Sequence, residues 1–413
     1  MPPYDFEAGS FYGPAGPQAL IEQYGSPLYV YHESVLRRRC REMAGLVDYR
    51  PFTANFSCKA NTNIELLKII RSEGLLADAM SPGEIYMLKQ AGYKGGEIFY
   101  IPNNVSEQEL TDAVQEGVMV SVDSLSQLER FGRLFPGTEV AIRFNTGHGA
   151  GHSDKVITAG KKTKFGIGDD QVEAAEAILK RYNLTLMGIN QHVGSLFMEP
   201  EAFLAGMERL LELAQRFEQL RLIDLGGGFG MPYHQGQARL DLTELGSRMS
   251  EAMEHFASRY GRRVTFKIEP GRYVTAECGV VLGTVQAIKE HAGTCYVGTD
   301  IGFNVMQRVV MYDSYHELTL YRGGQRVEGE ARPVTVVGNI CESGDKLAEN
   351  RLLPEAREGD VIALSDAGAY GYSMASTYNQ RLRPAEVLIE ESGRSRLIRR
   401  RECFEDLMRG YDF

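Results

Sequence analysis

The sequence has no two cysteines in C-x-x-C spacing: Cys40, Cys58, Cys278, Cys295, Cys341 and Cys403 are scattered singly along 413 residues. That excludes the usual ligand spacing of a structural zinc site and a dense disulfide framework, and no metal is expected. No apolar run reaches the roughly 18 residues that cross a bilayer, so no membrane contact is expected. The N-terminal MPPYDFEAGS lacks the basic and apolar regions of a secretory signal, and a cytoplasmic location is expected. Positive charge is also short. With 45 Lys+Arg against 55 Asp+Glu the formal charge is -10, which repels polyphosphate, so nucleic acid is not expected as a partner. Low-complexity linkers are missing too. Hydrophobic residues at 43% and charged residues at 24% then exclude a disordered or fibrous chain.

What is present is a rhythm. From about residue 52 to 270, short apolar, β-leaning runs recur with helix-like stretches between them. The runs are FTANFSCKA, LLADAMS, EIFYIPN, VMVSVDS, VAIRFNT, LTLMGINQHVG, LRLIDLGGG and VTFKIEPG. Eight right-handed βα units are what closes a (β/α)8 barrel. IELLKIIRSEG and SPGEIYMLKQAG read as two of the helices, the second opening on Ser81, Pro82 and Glu84. After about residue 273 the texture becomes alternating strands and glycine-containing turns without helical spacers. The expected fold is therefore α/β: a TIM-type barrel over 32–273, followed by a mainly β C-terminal domain of Greek-key or β-sandwich kind, 274–413 with 1–31.

In such a barrel, reactive side chains lie at the C-terminal strand ends. Those positions carry Lys59, Asp78, Arg143, His192 with Gly194 and Ser195, the triplet Gly226, Gly227 and Gly228, and Glu269 with Gly271 and Arg272. Each has two open readings. Lys59 is either a desolvated nucleophilic amine suited to a Schiff base or a rim lysine paired with an acid. The glycines either present N–H groups to a phosphate or form a tight turn. Ser195 is either a phosphate donor or a helix cap. Glu269, placed across the mouth, either faces a protonated ring nitrogen or pairs with Arg272. His192 is either a stacking face or a satisfied interior residue. Taken jointly, an amine, a phosphate site, a stacking face and a ring-nitrogen partner match the needs of pyridoxal 5'-phosphate.

The β domain adds Asn304, Arg308 and Tyr312, then Cys341, Glu342 and Asp345 in GNICESGDKL, and Tyr370 in DAGAYGYSMAS. Arg308 and Tyr312, four residues apart, either hold a substrate carboxylate or brace a loop. Cys341 lies in a polar loop, unlike Cys278 and Cys295, which are read as strand residues. It is the cysteine expected to meet substrate.

From SPLYVYHESVLRR through KANTN, HVGS, DLGGGFGMPY, EPGRYVTAECG, CESGD and DAGAYGYSMASTYN to RLIRRRE, the chain resembles the alanine racemase-like (fold type III) decarboxylases that use pyridoxal phosphate. RFNTGHGAGHSDKVITAGKKTKFGIG is similar to the form of that family found in many Gram-negative bacteria. The resemblance implies that Lys59 forms the Schiff base, His192 stacks on the ring and Glu269 pairs with the ring nitrogen. It places Asp78, Arg143, Ser195, Gly227, Gly228, Gly271, Arg272 and Tyr370 around the cofactor. Arg272, Arg308, Tyr312, Glu342 and Tyr370 would hold substrate, and Cys341 would return a proton after carbon dioxide leaves. It further implies a head-to-tail homodimer with composite sites. Val305 and Val309 stand where the family commonly has an acidic residue and a proline, and Asn339 where it has a proline before CESGD. Glu342 as acceptor for a distal ammonium, with Arg308 as carboxylate clamp, points to meso-2,6-diaminopimelate as substrate and L-lysine as product. The other readings are action on D-lysine, D-ornithine or a siderophore intermediate, an inactive regulatory relative, and a barrel enzyme without cofactor.

Overall fold

The structure, a computed structural model, describes residues 11–147, 150–151, 163–234 and 236–412. The middle of RFNTGHGAGHSDKVITAGKKTKFGIG thus lies outside the described residues. The chain separates into two compact units: Arg38–Met231 with Ala238–Val274, and the residues up to Arg37 with Pro232–Gln237 and Thr275–Phe413.

In the first unit all eight apolar runs form strands: β1 (Phe52–Ser57), β2 (Leu76–Ala79), β3 (Ile98–Tyr100), β4 (Met119–Val122), β5 (Glu139–Asn145), β6 (Thr185–Asn190), β7 (Leu222–Asp224) and β8 (Thr265–Ile268). Every neighbouring pair is parallel, and the β1–β8 and β4–β5 pairings close the ring. Helices such as Ile64–Ser72, Pro82–Gln90 and Leu242–Tyr260 cover the outside. Their starts follow from short polar side chains: Asn63, Ser81, Ser106, Ser124 and Asp241 each accept a hydrogen bond from a backbone N–H of the first turn. One layer of the barrel interior is apolar, formed by Phe99, Ala141, Met187 and Leu222 from four strands. Two residues beyond Ala141 and Leu222 the same strands carry Arg143 and Asp224, which share their face because alternate residues of a strand do.

The second unit is a ten-stranded sheet. At its centre Leu28–His32, buried throughout, pairs antiparallel with Gly279–His291 and parallel with Ala385–Ile389, so that Val30 lies opposite both Val280 and Val387. Leu20, Leu28, Val30, Leu282, Val361 and Val387 form its core. Three details depart from the sequence reading. Cys278 sits in the turn before Gly279–His291 rather than in a strand, although it is buried. A short helix, Gln307–Tyr312, interrupts the strands, and another, Phe404–Leu407, follows the last of them. Lys346–Leu353 is a strand that no apolar run announced; it pairs only with Arg332–Val337, and an edge strand tolerates charged residues such as Glu349 and Arg351.

Among described residues no helix is long and apolar enough to cross a membrane. Gly246, inside Leu242–Tyr260, lies where a Cβ would run into the Leu46 carbonyl oxygen. Alanine gains about 1 kcal/mol over glycine inside a helix, whereas overpacking against backbone costs about 1–3 kcal/mol. Gly246→Ala is therefore expected to lower the urea midpoint; a raised midpoint would mean that the helix shifts without cost.

Candidate active site

The C-terminal strand ends are joined by backbone bonds. Ser57 N donates to Pro270 O at 3.1 Å, drawing the turn Cys58–Ala60, which carries Lys59, toward the end of β8. Glu269 N donates to Gly226 O at 2.9 Å. Glu269 is thus beside the glycine triplet, not across the mouth from it, because β7 and β8 are hydrogen-bonded neighbours. Gly226 (φ +78°) and Gly228 (φ +105°) use left-handed backbone, and a Cβ on Gly227 would strike the Glu269 carbonyl. The loop after β6 is zipped to the same triplet: Phe197 N donates to Gly228 O and Gly230 N to Phe197 O, both at 3.0 Å. Arg272, opening the short helix Arg272–Thr275, donates from Nη2 to Ser195 Oγ at 3.0 Å. Ser195, in the short strand Gly194–Ser195, therefore accepts from Arg272 and caps no helix, the next one opening after Pro200.

His192 is half-buried, and Gly227 N donates to its Nδ1 at 3.1 Å, so that nitrogen carries no proton. Burial, with Lys59 and Arg143 nearby, holds the imidazole well below its ordinary value. The 3.6 Å approach of Glu269 Oε2 to Nδ1 is accordingly not an ion pair. Glu269 is almost fully buried, and its Oε1 has no hydrogen-bond partner among the described residues.

Beneath it the interior is charged. Burial, then the neighbouring Glu269 carboxyl, raises both Asp78 and Asp224 well above the usual carboxylate range, and burial raises Glu269 itself. Asp224 Oδ1 accepts from Gly226 N at 2.9 Å. Lys267, two residues before Glu269 and opposite Asp224 in the register, places Nζ 5.1 Å from the centre of the Phe99 ring. That contact crosses the barrel from β8 to β3. Burial lowers Lys267, and Asp224 opposes the fall. Arg143 is buried over the Phe165 ring at 4.6 Å, lowered by burial and supported by Glu269, Asp123, Asp224 and Asp78.

In the β unit, Arg308 is buried and braced: Nη1 donates to Tyr233 Oη at 3.1 Å and to His316 Nε2 at 3.2 Å, Nη2 to Ser314 Oγ at 3.3 Å. His316 Nδ1 lies 2.8 Å from Ser365 O and must donate there, which leaves Nε2 as the acceptor and the imidazole neutral. Tyr312 ends the same short helix, half-buried. Tyr370 occupies the DAGAYG turn in left-handed backbone (φ +57°). Cys341 and Glu342 are exposed on their loop. Asn339 donates from Nδ2 to Asp300 O at 3.3 Å, a bond that a proline there could not make.

The family described as "Pyridoxal-dependent decarboxylase, pyridoxal binding domain" matches residues 33–276. The diaminopimelate decarboxylase of Methanothermobacter thermautotrophicus is 39% identical over 407 residues, covering 96% of this chain and 94% of that protein. This chain belongs to the diaminopimelate decarboxylase family. The Escherichia coli K12 member is 35% identical over 94% of each chain. The crystal structure of the Helicobacter pylori diaminopimelate decarboxylase complexed with L-lysine superposes with a TM-score of 0.86 at 27% identity, covering 94% of this chain and 98% of that one.

Sequence reasoning missed Asp224 and Lys267, although a charged residue inside LRLIDLGGG and another inside VTFKIEPG were visible signals of an inward polar layer. It also missed Tyr233, Ser314 and His316, which no spacing links to Arg308.

Asp224 gives a pH dependence. Its folded carboxyl holds a proton above the value near 3.9 at which the unfolded chain releases it, so its contribution is complete below that value and is lost as pH rises through the folded one. In the cofactor-free protein, wild type should lose more stability than Asp224→Asn between about pH 4 and pH 8, read as urea midpoints. Parallel curves would contradict the assignment.

Proposed function

We propose that this chain decarboxylates meso-2,6-diaminopimelate to L-lysine and carbon dioxide, the last step of lysine synthesis, using pyridoxal 5'-phosphate. The observation that supports it best is the buried Glu269 carboxyl beside His192 and the glycine triplet, with no N–H or cation bonded to its Oε1 among the described residues, in a chain that matches diaminopimelate decarboxylases almost end to end.

The residues fit the cofactor. Glu269 Oε1 is an acceptor suited to a protonated ring nitrogen, and the glycine triplet lets the turn after β7 pack directly against the Glu269 backbone, where a Cβ at Gly227 would not fit. Ser195, Gly227, Gly228, Gly271, Arg272 and Tyr370 would hold the phosphate, and Lys59 would bind the aldehyde carbon. When bound, the cofactor supplies the electron sink for the charge left as carbon dioxide departs. The protein supplies orientation and charge. His192, neutral and fixed through Nδ1, offers a flat face that cannot move as a cation would. Asp78 and Arg143 set the field beside Glu269. Arg272, Arg308, Tyr312, Tyr370 and Glu342 would hold the substrate, guanidinium groups taking its carboxylates and Glu342 its distal ammonium. Cys341 would return a proton to the α-carbon. Carbon dioxide release assayed on meso-diaminopimelate, D-lysine and D-ornithine tests the reading: diaminopimelate should be preferred by at least about a hundredfold in kcat/KM, roughly 2.7 kcal/mol, and equal rates would overturn the substrate assignment.

The working form is a cytoplasmic homodimer in which the Cys341 loop of one subunit completes the other's site. Exposure of Cys341 and of Phe404 (73%), Tyr411 (66%) and Tyr378 (45%) in the single chain supports an interface there. Mixing inactive Lys59→Ala with inactive Cys341→Ala protein should restore activity. Half the dimers would be mixed, each with one intact site, so recovery should approach about a quarter of wild type. Verified subunit exchange without recovery would rule out the composite site.

A further inference from the structure

The loop carrying Cys341 is bonded, residue against residue, to the segment Tyr378–Arg381. Asp345 fixes the loop from within, accepting from Phe303 N and Ile340 N at 2.7 Å each. From outside, Tyr378 Oη donates to Glu342 Oε1 at 2.6 Å and Arg381 Nε to Asn339 O at 3.1 Å. Between these two contacts Asn379 touches Cys341 twice: its Oδ1 accepts from Cys341 N at 3.1 Å, and its Nδ2 donates to Cys341 Sγ at 3.2 Å. The orientation of that amide is determined. A backbone N–H can only donate, so the oxygen must face it and the NH2 must face the sulfur. Asn379 also stands in left-handed backbone (φ +55°), which asparagine tolerates better than most residues.

We propose that Asn379 is a positioning residue for Cys341, holding the sulfur as a hydrogen-bond acceptor so that its proton is directed away from the amide and toward substrate. The inference rests on the reading of Cys341 as proton donor. In that step the S–H bond breaks and the proton joins the α-carbon, using the electron pair left by carbon dioxide. The sulfur keeps its own pair as a thiolate, which the Asn379 N–H stabilises until solvent returns a proton.

Asn379→Asp separates this from mere loop pinning. Aspartate accepts from Cys341 N and tolerates the same backbone, but it presents oxygen to the sulfur where asparagine presented N–H. In the holoenzyme, iodoacetamide alkylation of Cys341 at one fixed near-neutral pH, followed by peptide mass spectrometry, should slow at least about tenfold. Alkylation of Cys403 in the same samples should be unchanged. A loosened loop would speed the reaction, so slowing is not the signature of structural damage. Should Asn379→Asp fail to fold, Asn379→Gly keeps the backbone conformation but removes both contacts, so it is read by turnover alone, and kcat must fall about tenfold with KM unchanged. Unchanged or faster alkylation overturns the proposal. Turnover is the second readout: kcat should fall about tenfold with KM and the cofactor's absorbance unchanged. Slowed alkylation with unaltered kcat would retain the sulfur contact and remove Cys341 from the role of proton donor.

Discussion

A carboxylate can sit inside a closed barrel only if cations or donors accompany it, since an isolated buried charge costs several kcal/mol. Asp78 and Asp224 avoid that cost by keeping their protons, and Glu269 has the charges of Lys59, Arg143 and Lys267 acting on it across the interior. The apolar layer of Phe99, Ala141, Met187 and Leu222 adjoins this charged layer, so water does not relieve it from that side. Glu269 consequently depends on residues that never need to touch a ligand. Lys267 is held over an aromatic ring rather than against a carboxylate, which keeps a positive charge within the layer without neutralising any single acid.

The β unit solves a different problem by different means. Its chemical groups lie in loops and on the short helix Gln307–Tyr312, so position has to come from hydrogen bonds rather than from strand register. Arg308 is held at three points by Tyr233, His316 and Ser314, and His316 is in turn fixed by a carbonyl. The Cys341 loop is fixed by Asp345 on one side and by Tyr378, Asn379 and Arg381 on the other. Such arrangements set direction more than strength, as suits groups that must orient a substrate.

These two modes explain what the sequence disclosed. The barrel was legible because each strand is an apolar run ending in a polar residue, and period and strand count follow from that pattern. Lys59, His192 and Glu269 were found because they terminate such runs. Asp224 and Lys267 were overlooked because they lie inside them, where alternation alone does not separate a buried charge from an outward one. Tyr233 and Asn379, partners of Arg308 and Cys341, come from segments remote in sequence and meet them only through tertiary folding, while Ser314 and His316 lie close to Arg308 but at no spacing that marks a contact. Lys346–Leu353 escaped notice because an edge strand has only one partner and no need of an apolar pattern.

The strand Leu28–His32 has a consequence for how the protein is made. It leaves the ribosome roughly 250 residues before Gly279–His291, the strand it pairs with, and earlier still than Ala385–Ile389. The whole barrel sequence is synthesised in that interval. Four buried apolar residues, Leu28 to Tyr31, must therefore wait without either neighbour, a β-prone segment open to wrong pairing until the C-terminus emerges. Nascent chains stalled after the barrel would be the species that a chaperone binds at this strand.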